Sequence, residues 1–365
     1  MPSVPRHALL VEKVADTLRG HLRIRKWKQY LPSEHYLCET LHVSRNTLRR
    51  ALGLLRRDGW IESSQGRRTR ITAGQKRVAR RRKSQLVGML FADPTSHRAP
   101  SMLFYIAEVR SHLQAAGYQL QVHTHPLLHR HSPGRILDSI LHDTNALCWI
   151  LISCNREIQQ WFMKQRVPAI VAGHCFEEVR LPSLDFNGEA SMRHAVGMFL
   201  RLGHRRVAFV MPKSVLAGHF SSEEAFREAF KANPRTDTEP IIVHHDSTLG
   251  GIRSCLDSLF REPNPATGLV IAYARHSLTV LMHLLSQGIH PPKQVSLIAT
   301  DDDVFFPDMV PQITHYKLDH HLHARRLAKL ALKLASTGFL PPSAVRIMPR
   351  FQRGETLGPA PRNSK

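Results

Sequence analysis

Residues 7–23 place Leu10, Val14, Leu18 and Leu22 at helical spacing with charged residues between them, which predicts an amphipathic helix. A turn over 26–31 follows, and Pro32 before Ser33-Glu34 predicts the start of a short second helix ending near Leu41. His42-Val43 makes a tight turn, and Ser44 suits the N-cap of a third helix. In that helix Leu48, Ala51, Leu52 and Leu55 fall at i, i+3, i+4 and i+7, giving one apolar stripe that Gly59 closes. Two short extended pieces, 60–62 and 69–72, flank a turn over 63–68.

The pattern then lapses. Residues 74–84 are nearly devoid of apolar side chains and dense in Lys and Arg, which predicts a linker. From residue 85 onward short apolar runs alternate with helical patterns. The runs are 86–91, 119–123, 146–152, 169–171, 206–210, 241–243, 268–271 and 295–298. The helical patterns are 102–116, 135–142, 157–164, 189–202, 223–231, 252–260 and 277–286. Strands alternating with helices predict a doubly wound, parallel α/β architecture. These eight strands exceed one ordinary sheet, so two lobes are expected. The organisation is therefore a domain over 1–73, a basic linker over 74–84 and a two-lobed α/β domain over 85–365. In the first domain the order helix, helix, turn, helix, hairpin is that of a winged helix-turn-helix.

Charge sharpens this picture. The formal net charge is +22. Residues 1–84 hold 21 Lys/Arg against 6 Asp/Glu, and the remaining 281 residues hold 30 against 23. Basicity concentrated in a short segment is the electrostatic footprint of a polyanion-binding surface. The five cysteines are odd in number and form no CxxC pair, so free thiols are expected rather than a disulfide framework or zinc site. No apolar run is long enough to cross a bilayer, and charges occupy the place of a signal peptide's apolar stretch, so the expected location is cytoplasmic with no membrane partner.

Other signals carry less. Of the 24 histidines, the densest group is His123, His125, His129 and His131; Pro126 breaks regular spacing and no acidic or Cys ligand is adjacent, so a loop is expected there and no metal. His320, His321 and His323 start a helix and are expected at its surface. Asp301-Asp302-Asp303 reads as a ligand loop or helix cap before a cation site. The sequence contains no nucleophile elbow, P-loop or GxGxxG, so neither an enzyme nor a bound cofactor is expected.

The stretch 31–71, LPSEHYLCETLHVSRNTLRRALGLLRRDGWIESSQGRRTRI, resembles the DNA-binding domain of the GntR family of bacterial repressors. It has the Leu-Pro-Ser-Glu opening, the Val-Ser-Arg-x-Thr-Leu-Arg core, the Leu-x-x-Asp-Gly-Trp-Ile exit and the Gln-Gly wing tip. Physical chemistry points the same way: the N-terminus of the third helix carries exposed N–H groups suited to phosphate, and Arg45 and Asn46 can bond base edges in the major groove. The resemblance implies that Arg45 and Arg49 read bases, that Ser44 and Thr47 contact phosphate, and that Gln65, Gly66 and Arg67 enter the minor groove. Arg68 departs from the family, which usually has a second glycine there.

From Gln85 onward the chain resembles the sensing domain of the LacI/GalR repressors, a periplasmic-binding-protein type I fold. The match runs through 86–90, 182–187, 202–210, 224–230, 294–302, 311–314 and 351–356, with Leu202-Gly203-His204-Arg205-Arg206-Val207 the most specific part. Such a fold binds its ligand between lobes, at the carboxyl ends of strands. The expected lining residues are Asp93, Ser96, Phe186, Ser222, Tyr273, Asp301 and Asp302. Ser222 stands where sugar-binding members usually carry arginine, and Tyr273-Ala274 where they usually carry Asn-Asp. The resemblance implies a repressor acting as a homodimer on a double-stranded operator and controlled by a small-molecule effector, a sugar or related polar metabolite. The competing expectation is a ligand-independent DNA-binding or architectural protein with a degenerate sensor domain.

Overall fold

The structure is a computed structural model, and it describes residues 6–23, 26–27, 29–57, 60–62, 69–71, 85–92, 100–125, 128, 133–233 and 237–361. The linker 74–84, the wing-tip residues Gln65, Gly66 and Arg67, and Asp93 and Ser96 lie outside the described residues.

The first three helices are α1 (Arg6–Arg23), α2 (Glu34–Leu41) and α3 (Arg45–Arg57), followed by the strands β1 (Ile61–Glu62) and β2 (Arg70–Ile71), paired antiparallel. The stripes read from the sequence become one core: Val14, Leu18 and Leu22 of α1 meet Leu48, Ala51, Leu52 and Leu55 of α3, with Leu37, Ile61 and Ile71 closing it. Ser33 caps α2, accepting a hydrogen bond from Tyr36 N, and His42 ends it in the left-handed region at φ 51°.

Beyond the linker lie two six-stranded sheets. The elements of the first lobe are β3 (Leu86–Phe91), α4 (Pro100–Ala115), β4 (Gln119–Thr124), α5 (Gly134–Thr144), β5 (Cys148–Ile152), α6 (Arg156–Lys164), β6 (Ala169–Ala172) and β7 (Ser183–Phe186). The chain then crosses to the second lobe for α7 (Gly188–Arg201), β8 (Arg206–Pro212), α8 (Ala217–Lys231), β9 (Glu239–His245), α9 (Leu249–Phe260), β10 (Gly268–Ile271), α10 (Ala274–Ser286), β11 (Ser296–Ala299) and β12 (Thr314–Lys317). It returns for α11 (His320–Thr337) and β13 (Ala344–Ile347), and crosses once more to β14 (Arg350–Gln352). The first sheet is ordered β13-β7-β6-β5-β3-β4 and the second β14-β12-β11-β10-β8-β9. Apart from the antiparallel β12–β14 pair, all strand pairs in these sheets are parallel. Strands such as β5, buried along their whole length, show why they read as continuous apolar runs: helices cover both faces.

Three expectations need correction. Helix α8 begins at Ala217 rather than near 223; the residues after Ala217, Gly-His-Phe-Ser-Ser, are weak helix formers, so no periodic signal marks them. His323 is buried rather than at the surface, with Nδ1 2.8 Å from the Tyr105 hydroxyl and its ring against Phe186. His123, grouped with a loop among the clustered histidines, lies in β4 as the 119–123 run predicts: Nε2 lies 3.1 Å from Thr144 Oγ1, and the ring packs on Trp149. All five cysteines are free, as the sequence led us to expect. No helix among the described residues is long and apolar enough to cross a membrane.

Candidate functional site

Two sites emerge, one on each domain. At the start of α3, Ser44 Oγ accepts a hydrogen bond from Thr47 N at 3.2 Å and shares a second, at 2.9 Å, with Thr47 Oγ1. Thr47 is only 2% exposed, so its hydroxyl is committed to holding the helix start. Ser44, Arg45, Asn46, Arg49 and Arg50 are exposed. Leu48 and Leu55 point the opposite way, into the core. The exposed face of α3 therefore carries Arg45, Arg49 and Arg50, and the helix contains no acidic residue. Arg50 was not singled out from the sequence; its place beside the Leu48 stripe was the available signal. Arg49 Nε lies 3.0 Å from Glu34 Oε2 on α2, which fixes the guanidinium beside the helix N-terminus.

The second site is a cavity of about 280 Å³ between the lobes of the α/β domain. The strand-end rule places its walls: Phe186 ends β7, Tyr273 follows β10, and Asp301 follows β11. Ser222 also lines it, with its hydroxyl donating to Gly218 O at 2.8 Å within its own helix. Asp302 is not among the lining residues; it turns to the other lobe, where Oδ1 lies 3.3 Å from His320 Nε2 as an ion pair. Burial lowers the His320 pKa, but Asp302, Asp301 and Asp319 outweigh it and the net shift is upward. Asp301, Asp302 and His320 have metal-ligand spacing, a grouping this ion pair already accounts for.

Asp301 accepts hydrogen bonds from Ala274 N at 3.3 Å and Asp302 N at 2.9 Å. Burial nevertheless pushes its pKa up to about 6, the two backbone donors offsetting only part of the desolvation. Three further lining residues were missed in the sequence. Asp185 in β7 is held against His174 Nδ1, and His174 Nε2 lies 3.6 Å from Glu189 Oε1 on the other lobe. His219, near the start of α8, sits with Nε2 2.9 Å from the Tyr273 hydroxyl. Burial pushes His219 down to about 4, so at neutral pH its ring is uncharged. Asp185 was legible by the strand-end rule, since it lies inside the quoted 182–187 match; His219 had no signal of its own.

With this geometry in view, the likeness to known proteins is specific. Residues 10–71 match the family model for bacterial regulatory proteins, gntR family, and residues 196–357 that for a periplasmic binding protein-like domain. Among solved structures, the chain is similar to a LacI family transcriptional regulator from Bifidobacterium animalis subsp. lactis, with 17% identity, TM-score 0.65, 76% of this chain and 98% of that chain covered. A complex of the transcriptional regulator CelR with cellobiose matches with 16% identity and TM-score 0.65 over 89% of this chain and 100% of that chain. A LacI family transcriptional regulator from Enterococcus faecium with bound ribose matches with 18% identity and TM-score 0.62 over 75% and 99%. At these identities the structural likeness establishes the fold. The chain is thus a two-part transcription regulator: a gntR-family DNA-binding domain over residues 10–71 and, beyond it, a periplasmic-binding-protein-like domain with the fold of LacI-type regulators.

Proposed function

We propose that the protein is a cytoplasmic repressor whose affinity for a double-stranded operator is set by a small molecule bound between the lobes of residues 85–365. The observation that carries this reading is the pairing of a helix whose exposed face carries arginines and whose length carries no acidic residue with a cavity walled by both lobes. Arg45, Asn46 and Arg49 would read base edges in the major groove, Ser44 and the N-terminal N–H groups of α3 would meet phosphate, and Thr47 would hold that turn in place. Gln65, Gly66 and Arg67 would follow the neighbouring minor groove. In the cavity Phe186, Tyr273 and Asp301 would grip the effector, with Asp302 holding the lobes through His320. Two of the similar structures hold sugars, which supports a small polar effector of that size.

The working unit in this reading is a homodimer. One winged helix covers one half-site, and a two-fold dimer matches a palindromic operator. Leu103 and Phe104 on α4 and Leu278 and Met282 on α10 are exposed apolar side chains, one pair on each lobe, suited to a second copy of the chain. Sedimentation should give twice the chain mass at micromolar concentration, and charged substitutions at Phe104 and Met282 should halve it. A monomer with and without operator DNA would remove the dimer from this reading. The regulator reading as a whole is tested by selecting binding sites from a random DNA pool: enrichment of a palindrome supports it, and enrichment of no sequence sinks it.

A further inference from the structure

The interlobe cavity is acidic in a chain that is otherwise strongly basic. The chain holds 51 Lys/Arg against 29 Asp/Glu, yet no Lys or Arg occurs among the described residues lining the cavity. Asp185 comes from the first lobe and Asp301 from the second, and Glu189, outside the lining, lies 3.6 Å from the lining residue His174. Of the two histidines in the wall, His174 is already engaged by Asp185, and neither histidine is paired with Asp301. His219 is neutral at physiological pH because burial disfavours its charged form. The His174 side chain is 8% exposed, and its Nε2 lines the site without a hydrogen-bond partner. An anionic ligand here would meet Asp301 and would find His174 already taken up by Asp185, with Glu189 3.6 Å away. A neutral ligand would leave Asp301 ionised in a poorly solvated wall. A cation would relieve that charge, and Phe186 and Tyr273 supply aromatic rings that attract one. Ser153, Ser222 and Thr300 add hydroxyls, which suit a ligand bearing hydroxyls of its own. The volume, about 280 Å³, lies at the small end of ligand sites.

We propose that the effector is a small hydroxylated primary amine whose ammonium group pairs with Asp301 from one lobe and faces Asp185 from the other. The inference rests on the sensor reading above and adds the ligand's charge to it. A ligand that takes one carboxylate from each lobe also favours the arrangement in which the lobes are together, so recognition and switching use the same groups.

The test uses the full-length protein with three matched probe sets. Glucosamine, galactosamine and mannosamine are compared with glucose, galactose and mannose, and with glucose 6-phosphate, by titration calorimetry and thermal shift. At least one amine should bind and raise the melting temperature, while its neutral parent, its N-acetyl derivative and the phosphate do not. Asp301→Asn should weaken the amine about tenfold or more. Asp185→Asn should act in the same direction, and a retained melting transition of the α/β domain without ligand shows that either variant is folded. A neutral sugar or the phosphate binding as tightly as the amine overturns the inference and leaves the sensor reading standing. A response to Mg²⁺, Ca²⁺ or Zn²⁺ without any response to an amine overturns it in favour of a metal ion. No binding by any set at millimolar concentration overturns both.

Discussion

Arg49 arrives at the DNA-facing end of α3 already paired, its Nε 3.0 Å from Glu34 Oε2 at an exposed position. A surface pair of this kind contributes about 0–1 kcal/mol, whereas a bidentate contact to a base edge discriminates by about 1–3 kcal/mol, so DNA can draw Arg49 away from Glu34. Arg45 is exposed and has no such competitor among the described residues. Arg45→Ala should therefore weaken operator binding by about 1–3 kcal/mol while non-specific DNA loses far less. Titrations against operator and scrambled duplex at two salt concentrations check this, and equal losses on both would take Arg45 out of base reading. In the cavity the corresponding residue is Asp301. Its folded pKa, about 6, lies above the ordinary carboxylate value, so it contributes stability at low pH that is lost as pH rises through 6. At neutral pH the free protein thus carries an ionised, poorly solvated carboxylate that a cationic effector would stabilise. Asp302 beside it and His320 from α11 are the charged groups that face it. Amine binding should accordingly be strongest between pH 6 and the pH at which the amine loses its own proton, and fall as the pH is lowered through 6, read as the melting-temperature rise given by glucosamine at each pH.

The DNA-binding domain shows how few side chains hold its elements together. Leu18 of α1 and Leu48 and Leu55 of α3 are each 0% exposed and form the centre of its core. Truncating a buried leucine costs about 2–5 kcal/mol, comparable with the whole stability of so small a domain. Leu48→Ala should melt this domain separately, leaving the α/β transition in place, and calorimetry should show the lower of two transitions lost or shifted down. A single unchanged transition would mean that the sensor domain holds α1 and α3 together. These elements were legible because their apolar stripe keeps strict helical spacing and Ser44 marks the start of α3. The same holds for β3, β5 and β10, whose continuous apolar runs could only be buried strands between short helices. Elements whose identity depends on distant partners were not legible. Helix α8 begins in a Gly- and Ser-rich stretch, so His219 could not be placed on the cavity wall. The antiparallel course of β14 follows only from its pairing with β12. His323 looked like a surface residue among polar neighbours, and it is buried because Tyr105, far earlier in the chain, supplies its partner.

At the scale of the molecule, the two lobes are joined by three crossings, at Asn187, at 318–319 and at 348–349. Among the described residues the contacts between them near the cavity include the cluster of Phe176 and Val179 with Ala217, Phe176 against Phe220 at 6.4 Å, His174 against Glu189 at 3.6 Å, and Asp302 against His320 at 3.3 Å. The lobes approach so closely at Gly218 that a Cβ there would lie 3.3 Å from His174 Nδ1. Such an interface is suited to rigid-body closure about the crossings, with ligand and lobe contacts biasing one arrangement. Closure can reach the DNA only if the effector binds one arrangement better than the other, because equal affinity for both shifts nothing. Linkage then imposes a test that needs no knowledge of the route between the sites. If the effector changes operator affinity by some factor, operator DNA must change effector affinity by the same factor. The expected result is a ratio of about 5–150 in both directions, measured by titrating effector into free and operator-bound protein and operator into free and effector-bound protein. Asp302→Asn, which removes the charge from the clasp to His320 without touching α3, should shrink both ratios together. An effector that binds the cavity yet leaves operator affinity unchanged would show that the sensor and the DNA-binding domain share a chain but not an equilibrium.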